Sequence, residues 1–541
     1  MYLSTLDGKY KFEKQNLPTV STQVSGFIDI NKDIKFQDIV GFGFTLTGAS
    51  ADLLSKMSDL NQNLLLTELF DPINGIGTSV LRVSIGASDL SSFSYTYDDI
   101  NSSPPIGYNL SLQSCSCQKY VGCDMICAQV NPEWFTVIDA GLGNIALKGK
   151  NGKYVSGTSP MTCNATSIGN MQKFKWIVNG DYVSLMCLGN QKYVCSENGS
   201  GYMNCNRSSP SGWETFIWKA ADIELNKFNI IGPELAILKK IIKINPNLSI
   251  IASPWSAPKW MKTNNNWFGG SLDPYYYQCY ANYFVKYIKT MQANGIPIYA
   301  ITPQNEPENP NNEPSMTMTK EEQVNFINNY LGPTFKNANI NTKIIAYDHN
   351  CDNIDYPIYV LNNSSYVDGA AFHLYAGNIT ALGQVHDLTK KNVYFTEQWI
   401  EKNSDFGGTL GWHIENVMLG SVNCWSRMAL EWNLASDPLC SLHTPGGCSD
   451  CLGAITIDGN NVIRNPGYYI VAHMSKIIKP GSIRIQSTCN IENIIHTVFM
   501  NGSNTCIVIY NKNMDVKNIS IIDNVTNVIS VPGQSIMSFI I

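Results

Sequence analysis

Charge is scarce in this chain. Only 15% of its 541 residues are charged, the formal net charge is −6, and no stripe or run of lysine and arginine appears. That composition excludes a phosphate-backbone partner, so no nucleic acid is expected. Long apolar runs are missing too. No window reaches the roughly 18 apolar residues of a membrane span, which rules out a transmembrane helix. Histidine is rare, at 7 residues, and none stands beside carboxylates or cysteines at metal-site spacing, so no metal is expected. The opening residues Met1-Tyr-Leu-Ser-Thr-Leu-Asp-Gly8 lack the basic start and apolar core of a secretory leader, so the leader is expected to have been removed or the reading to start late.

Cysteine, by contrast, is abundant. The chain holds 16 of them, and Asn-x-Ser/Thr sequons recur at Asn101, Asn109, Asn164, Asn206, Asn378, Asn501, Asn518 and Asn524. Together these point to an oxidising, secretory-route compartment, and the expected location is secreted or lysosomal. The length exceeds one hydrophobic core, so several domains are expected.

Two stretches carry the chemistry. Ile298-Tyr-Ala-Ile-Thr-Pro-Gln-Asn305-Glu306-Pro307 and Asn392-Val-Tyr-Phe-Thr-Glu397 each read as a buried strand ending on a glutamate. A (β/α)8 barrel delivers paired carboxylates to one rim in this way. Eight such strands follow in order: Ile39 to Phe44, Ser79 to Ile85, Ser249 to Trp255, Ile298 to Glu306, Lys343 to Asp348, Gly369 to Tyr375, Asn392 to Glu397, and Arg427 to Leu434. Eight is the number a closed parallel barrel requires. Amphipathic helices are expected between them at Gln278 to Ala293, Lys320 to Leu331 and Gly411 to Trp425.

The gap after the second strand is too long for one βα connection, and it repeats internally. Gln118-Lys-Tyr-Val121, Gly152-Lys-Tyr-Val155 and Gln191-Lys-Tyr-Val194 are spaced by 34 and 39 residues, and each precedes an aromatic cluster. Three such copies predict an inserted β-trefoil-like domain, in which the motif forms the shared core. Half of the cysteines, at 115, 117, 123, 127, 163, 187, 195 and 205, lie there. Disulfides would help so small a domain, although their pairing is not legible. From about 470 the pattern changes to short alternating strands, which predicts an antiparallel β-sandwich with Cys489 and Cys506 stapling adjacent strands. The expected division is therefore 1–38 joining the C-terminal β-domain, 39–110 barrel, 111–222 insert, 223–468 catalytic barrel and 469–541 sandwich. Because the insert enters in a βα loop, it is expected to overhang the active-site face and either hold glycans or cover the mouth.

Polar and aromatic residues gather at the strand ends. Asp89 follows the second strand, Trp255 ends the third, Asn305 and Glu306 the fourth, Asp348 and His349 the fifth, His373 and Tyr375 the sixth, Glu397 the seventh, and Glu431, Trp432 and Asn433 the eighth. A purely structural role would not predict that clustering.

On these residues the chain resembles glycoside hydrolase family 30, the family of lysosomal glucosylceramidase and of microbial endo-β-1,6-glucanases. The resemblance rests on Gly41-Phe-Gly-Phe44, Leu81-Arg-Val-Ser-Ile-Gly-Ala-Ser-Asp89, Ala252-Ser-Pro-Trp-Ser-Ala-Pro-Lys-Trp260, Asn305-Glu-Pro307, Phe372-His-Leu-Tyr375, Phe395-Thr-Glu397 and Glu431-Trp-Asn-Leu434. It implies a retaining mechanism with Glu306 as acid/base and Glu397 as nucleophile, about 5 to 5.5 Å apart, and no cofactor. Glu306 would then need a raised pKa, and Glu397 hydrogen-bond donors, for which Arg82 and Tyr375 are the candidates. Asp89, Trp255, Asn305 and Trp432 match positions that hold the sugar. Core packing is the alternative for the tryptophans, and a satisfied core histidine the alternative for His373 as a site-lining residue. The implied partner is a β-glucoside, either glycolipid or glucan. The first reading is a glucosylceramidase-like enzyme; the alternative is an endo-β-1,6-glucanase, toward which Pro303 to Met316 and His443-Thr-Pro-Gly-Gly-Cys-Ser-Asp-Cys451 lean. A catalytically dead carbohydrate-binding protein is the third, opposed by the intact glutamate pair.

Overall fold

A computed structural model of the chain describes every residue except 20–22, 100–105, 108, 180–181, 222–224, 226–227 and 524. Two of the expected sequons, at Asn101 and Asn524, lie outside the described residues. The described residues form two compact units: Met1–Tyr97, Asn229–Ala257 and Trp267–Ile541 make the first, and Asp98–Phe228 with Pro258–Asn266 the second. Among the described residues no helix is long and apolar enough to cross a membrane.

The first unit contains a closed barrel of eight parallel strands, each hydrogen-bonded to its neighbour in chain order. They are β1 (Gly41–Leu46), β2 (Val80–Ser84), β3 (Ser249–Ser253), β4 (Ala300–Ile301), β5 (Lys343–Cys351), β6 (Val367–Gly377), β7 (Asn392–Glu397) and β8 (Ser426–Asn433). Strands buried on both faces read as unbroken apolar runs, which is why their order was legible. The fourth departs from expectation. Its ladder stops at Ile301, because Pro303 has no N–H to donate and Glu306 sits in the left-handed region at φ 45°. The expected helices are present near their predicted places, except that those after β4 and β7 each contain a wider π-turn, at Ile327–Leu331 and Ile414–Leu419.

The barrel is filled in layers. Val80, Ile251, Ala300, Ile345, Ala371, Tyr394 and Met428 form one apolar cluster. Two residues further along, the pleat returns the next side chain to the same side, which brings Arg82, Ser253, Thr302, His373 and Thr396 into a polar layer above it. On β5 the parity breaks below the rim. Tyr347 and Asp348 both have positive φ, 70° and 69°, and the register slips between Tyr347 and His349. This bulge turns Asp348 inward in place of Tyr347, whose ring packs on Tyr356 and Phe372. At the other end, a β-carbon on Gly43 would strike the Val80 carbonyl oxygen. Gly43→Ala is therefore expected to part β1 from β2 and cost about 1–3 kcal/mol. Urea unfolding checks this, and an unchanged midpoint would refute it.

The chain's two ends share a second sheet. Its order is Glu13–Lys14, Tyr2–Thr5, Ser535–Ile540, Asn504–Asn511, Ile494–Asn501, Ile483–Cys489, Gly26–Asp38, Lys517–Asp523 and Val525–Val531. This is one hydrogen-bonded path, not two separate sheets, and Ile28, Ile485, Ile507, Ile519 and Met537 from along its length meet in one cluster. The expected Cys489–Cys506 staple is absent. Strand Ile494–Asn501 lies between their strands, and each thiol turns to a backbone carbonyl, of Ile491 and Ile477 respectively. Helix Pro466–Ser475 crosses the expected boundary at 469.

Among the described residues the second unit carries ten strands. Val121, Val155 and Val194, one from each copy of the repeat, are buried in one cluster with Phe135, Phe174 and Phe216. The unit is wider than the expected 111–222.

Candidate active site

The polar layer of the barrel converges on two carboxylates. Glu397 ends β7 and lies opposite His373 in the β6–β7 register. Glu306 hangs from the irregular segment after β4, where its N–H donates to the Asp348 carbonyl at 2.9 Å. Its left-handed backbone stores about 1–3 kcal/mol of strain, typical of a residue held for function. Both carboxylates are buried, at 6% exposure each. A carboxylate oxygen of each and a ring nitrogen of His373 all fall within 4.8 Å of one another.

Around them the hydrogen bonds are nearly saturated. Arg82, fully buried, donates through Nη1 to Glu397 Oε2 and through Nη2 to Asn305 Oδ1 at 2.6 Å and Asp348 Oδ2 at 2.8 Å. Its guanidinium lies 4.7 Å from the Trp255 ring. Tyr375 donates its hydroxyl to Glu397 Oε1 at 2.9 Å. His373 bridges two acids, with Nδ1 3.1 Å from Glu306 Oε1 and Nε2 3.2 Å from Asp348 Oδ1. Asp348 also accepts from Ser253, Thr302 and Thr396 at 3.0, 2.7 and 2.7 Å. On the outer side Asn309 Nδ2 donates to Glu306 Oε2 at 2.8 Å, and Asn312 reaches the same oxygen at 3.5 Å. With both ring nitrogens engaged by carboxylates, His373 is suited to hold a proton more than a metal.

The electrostatics run against the sequence-based expectation. Burial alone would raise Glu306, but the hydrogen bond and charge of His373, with help from His349 and Asn309, bring its pKa down to about 2. Glu397 goes up instead: burial dominates, and Glu306 adds to it, against the pull of His373 and Arg82. For His373, burial would lower the pKa, yet Glu397, Asp348 and Glu306 push it up to about 9. Asp348 is held far below the usual carboxylate range: burial opposes ionisation, but Arg82 and His373 outweigh it. At neutral pH the proton shared by His373 and Glu306 therefore rests on the imidazole. The expected raised pKa of Glu306 is corrected by this neighbour, which burial reasoning alone does not include.

Of the remaining predicted residues, Asp89 and Trp432 line the mouth, whereas Trp255 does not and packs in an apolar cluster with Ala49, Leu90 and Trp432. Asp89 is buried, and burial together with the Glu397 and Glu306 charges pushes it up to about 7, while the Cys448 N–H donates to it. Trp255 and Trp432 are buried with ring centroids 5.3 Å apart. A cavity of about 460 Å³ is walled by Asp89, Glu306, Tyr375, Glu397, Trp399, Trp432 and the Cys448–Cys451 disulfide. Next to it lies a second hollow of about 400 Å³, lined by Pro307, Thr317, Asn353 and Tyr356, and the two share Glu308. The Gly446 loop closes over this region: Thr444 Oγ1 donates to the Glu313 and Asp89 carbonyl oxygens. Sequence reasoning assigned no role to Asp348, Asn309 or Asn312. Asp348 at a strand end was the available signal; the two asparagines sit in irregular backbone and had none beyond their motif.

The glycosyl hydrolase family 30 TIM-barrel model matches residues 39–152 and 215–478. The chain belongs to glycosyl hydrolase family 30. Among its relatives, an endo-1,6-β-D-glucanase of Aspergillus fumigatus is 36% identical over 49% of this chain and 58% of its own. The lysosomal acid glucosylceramidase of Mus musculus is 27% identical over 54% of this chain and 64% of its own. The alignment thus spans a little over half the length of these curated relatives. A solved structure, the endo-β1,6-glucanase BT3312, superposes with TM-score 0.72 at 29% identity, covering 100% of this chain and 98% of that one. Identity is higher to the glucanases than to the glucosylceramidase, the reverse of the order first read from the sequence.

Proposed function

We propose that this chain is a retaining endo-β-1,6-glucanase. The observation that carries the reading is the full-length likeness to a solved endo-β-1,6-glucanase, and the higher identity to fungal endo-1,6-β-glucanases supports it. Space continuing past Glu306 through Glu308 favours a groove for a polymer over a single-sugar pocket.

Glu397, ionised between Arg82 and Tyr375, attacks the anomeric carbon. The glycosidic oxygen leaves with a proton delivered by Glu306. That proton starts on His373, and its charge is held there chiefly by Glu397. As Glu397 spends its charge in the new C–O bond, His373 loses that support and passes the proton through Glu306 to the leaving oxygen. Attack and protonation are coupled electrostatically. In the second step Glu306 is already ionised and serves as base to the incoming water; when Glu397 is released as carboxylate, the proton returns to His373. Asp89 and Asn305 are proposed to hold sugar hydroxyls, and Trp432 one face of the ring. Nothing in this cycle needs a cofactor.

The test compares linear β-1,6-glucan with detergent-dispersed glucosylceramide, using Glu397→Gln as the blank. Early release of short β-1,6-linked oligosaccharides with little free glucose is expected. Ceramide release with intact glucan would overturn the reading.

A further inference from the structure

We infer that the inserted unit is held by three disulfides, Cys117–Cys127, Cys123–Cys163 and Cys187–Cys205. In the structure all six are thiols, yet they are already in pairs. Cys117 and Cys127 have sulfurs 3.8 Å apart. A β-carbon on Gly149 would collide with both the Cys123 and the Cys163 sulfur, and one on Gly157 would collide with Cys187 while lying 3.2 Å from the Cys205 sulfur. Glycine is thus what leaves room for the second and third pairs, and a β-carbon on Gly199, beside the first, would lie 3.4 Å from the Cys117 sulfur.

The internal repeat gives independent support. Each copy of Lys-Tyr-Val has one cysteine of a pair over its lysine carbonyl: Cys127 Sγ lies 3.1 Å from Lys119 O, Cys163 Sγ 3.5 Å from Lys153 O, and Cys205 Sγ 3.2 Å from Lys192 O. Asparagines hold two of these cysteines by their carbonyl oxygens, Asn151 to Cys163 at 2.8 Å and Asn190 to Cys205 at 2.9 Å. Three equivalent positions, each supplied with a second sulfur, are not expected of cysteines used only as small apolar core residues. The other two cysteines of the unit differ, since Cys195 faces Glu214 and Cys115 faces Thr215.

Each bridge forms by exchange with an external disulfide, small-molecule or protein-borne. One thiolate attacks it and expels a thiolate, and the second thiolate then displaces the remaining half. Two cysteine thiols are oxidised, and the external disulfide is reduced to two thiols. Such exchange goes to completion only in an oxidising compartment.

The test is peptide mapping of the full chain, refolded in a glutathione redox buffer and alkylated in denaturant without reduction. The three cross-linked pairs are expected, each lighter by two hydrogens than its thiol form, with Cys115 and Cys195 alkylated. In Cys117→Ser the newly alkylated residue should be Cys127 and not Cys123; in Cys187→Ser it should be Cys205. Alkylation of all six in the parent chain, or a different residue released in either variant, would overturn the assignment.

Discussion

Glu397→Gly is expected to lower kcat on β-1,6-glucan by about 10⁴-fold or more, because the covalent route disappears while binding remains. The same variant given azide and an aryl β-gentiobioside should regain turnover and yield a glycosyl azide of α configuration. The small anion occupies the space the carboxylate left and attacks from the same side of the sugar, without a second displacement. Glu306→Ala should behave differently. An activated aryl leaving group needs no acid, so its first step survives, and azide should then yield the β product by taking the place of water. Product configuration therefore assigns the two roles independently of rate. If Glu397→Gly gave the β azide, or if both variants kept parental activity on glucan, the assignment would fail.

What the sequence carried well was whatever depends on burial and order. Eight apolar runs came out as eight strands in the right succession, and the strand-end residues Arg82, Asn305, Glu306, His373, Tyr375 and Glu397 converge, through Asp348, within one hydrogen-bonded set. What it carried poorly depends on a single backbone irregularity or on a neighbour's charge. Asp348 reaches the lumen only because two consecutive left-handed residues flip the pleat, and no period-2 pattern reveals that. Cys489 and Cys506 looked like neighbours in sequence, but an intervening strand separates theirs. The direction of the Glu306 shift depends on an imidazole that approaches from a strand 67 residues away. Burial is legible from composition, whereas the sign of a pKa shift requires the partner's position.

That imidazole supplies the second large effect. His373→Asn removes the group that stores the proton and is expected to lower kcat on glucan by about 10²- to 10⁴-fold, the usual reach of a general acid. The pH profile separates this from simple damage. In the parent, activity requires the shared proton, so it is present below the His373 pKa of about 9 and lost as pH rises through it. The acidic limb belongs to Glu397, which must be ionised and whose pKa lies above the ordinary carboxylate value. Without His373, Glu306 must hold the proton itself. The alkaline limb should then fall by about 2 pH units toward a buried carboxylate's range, while turnover of a substrate with an activated leaving group is largely spared. A misfolded variant would lose both substrates together with its cooperative thermal transition. An alkaline limb unchanged from the parent would mean that the proton never rested on His373, and that Glu306 binds it directly despite the imidazole 3.1 Å away.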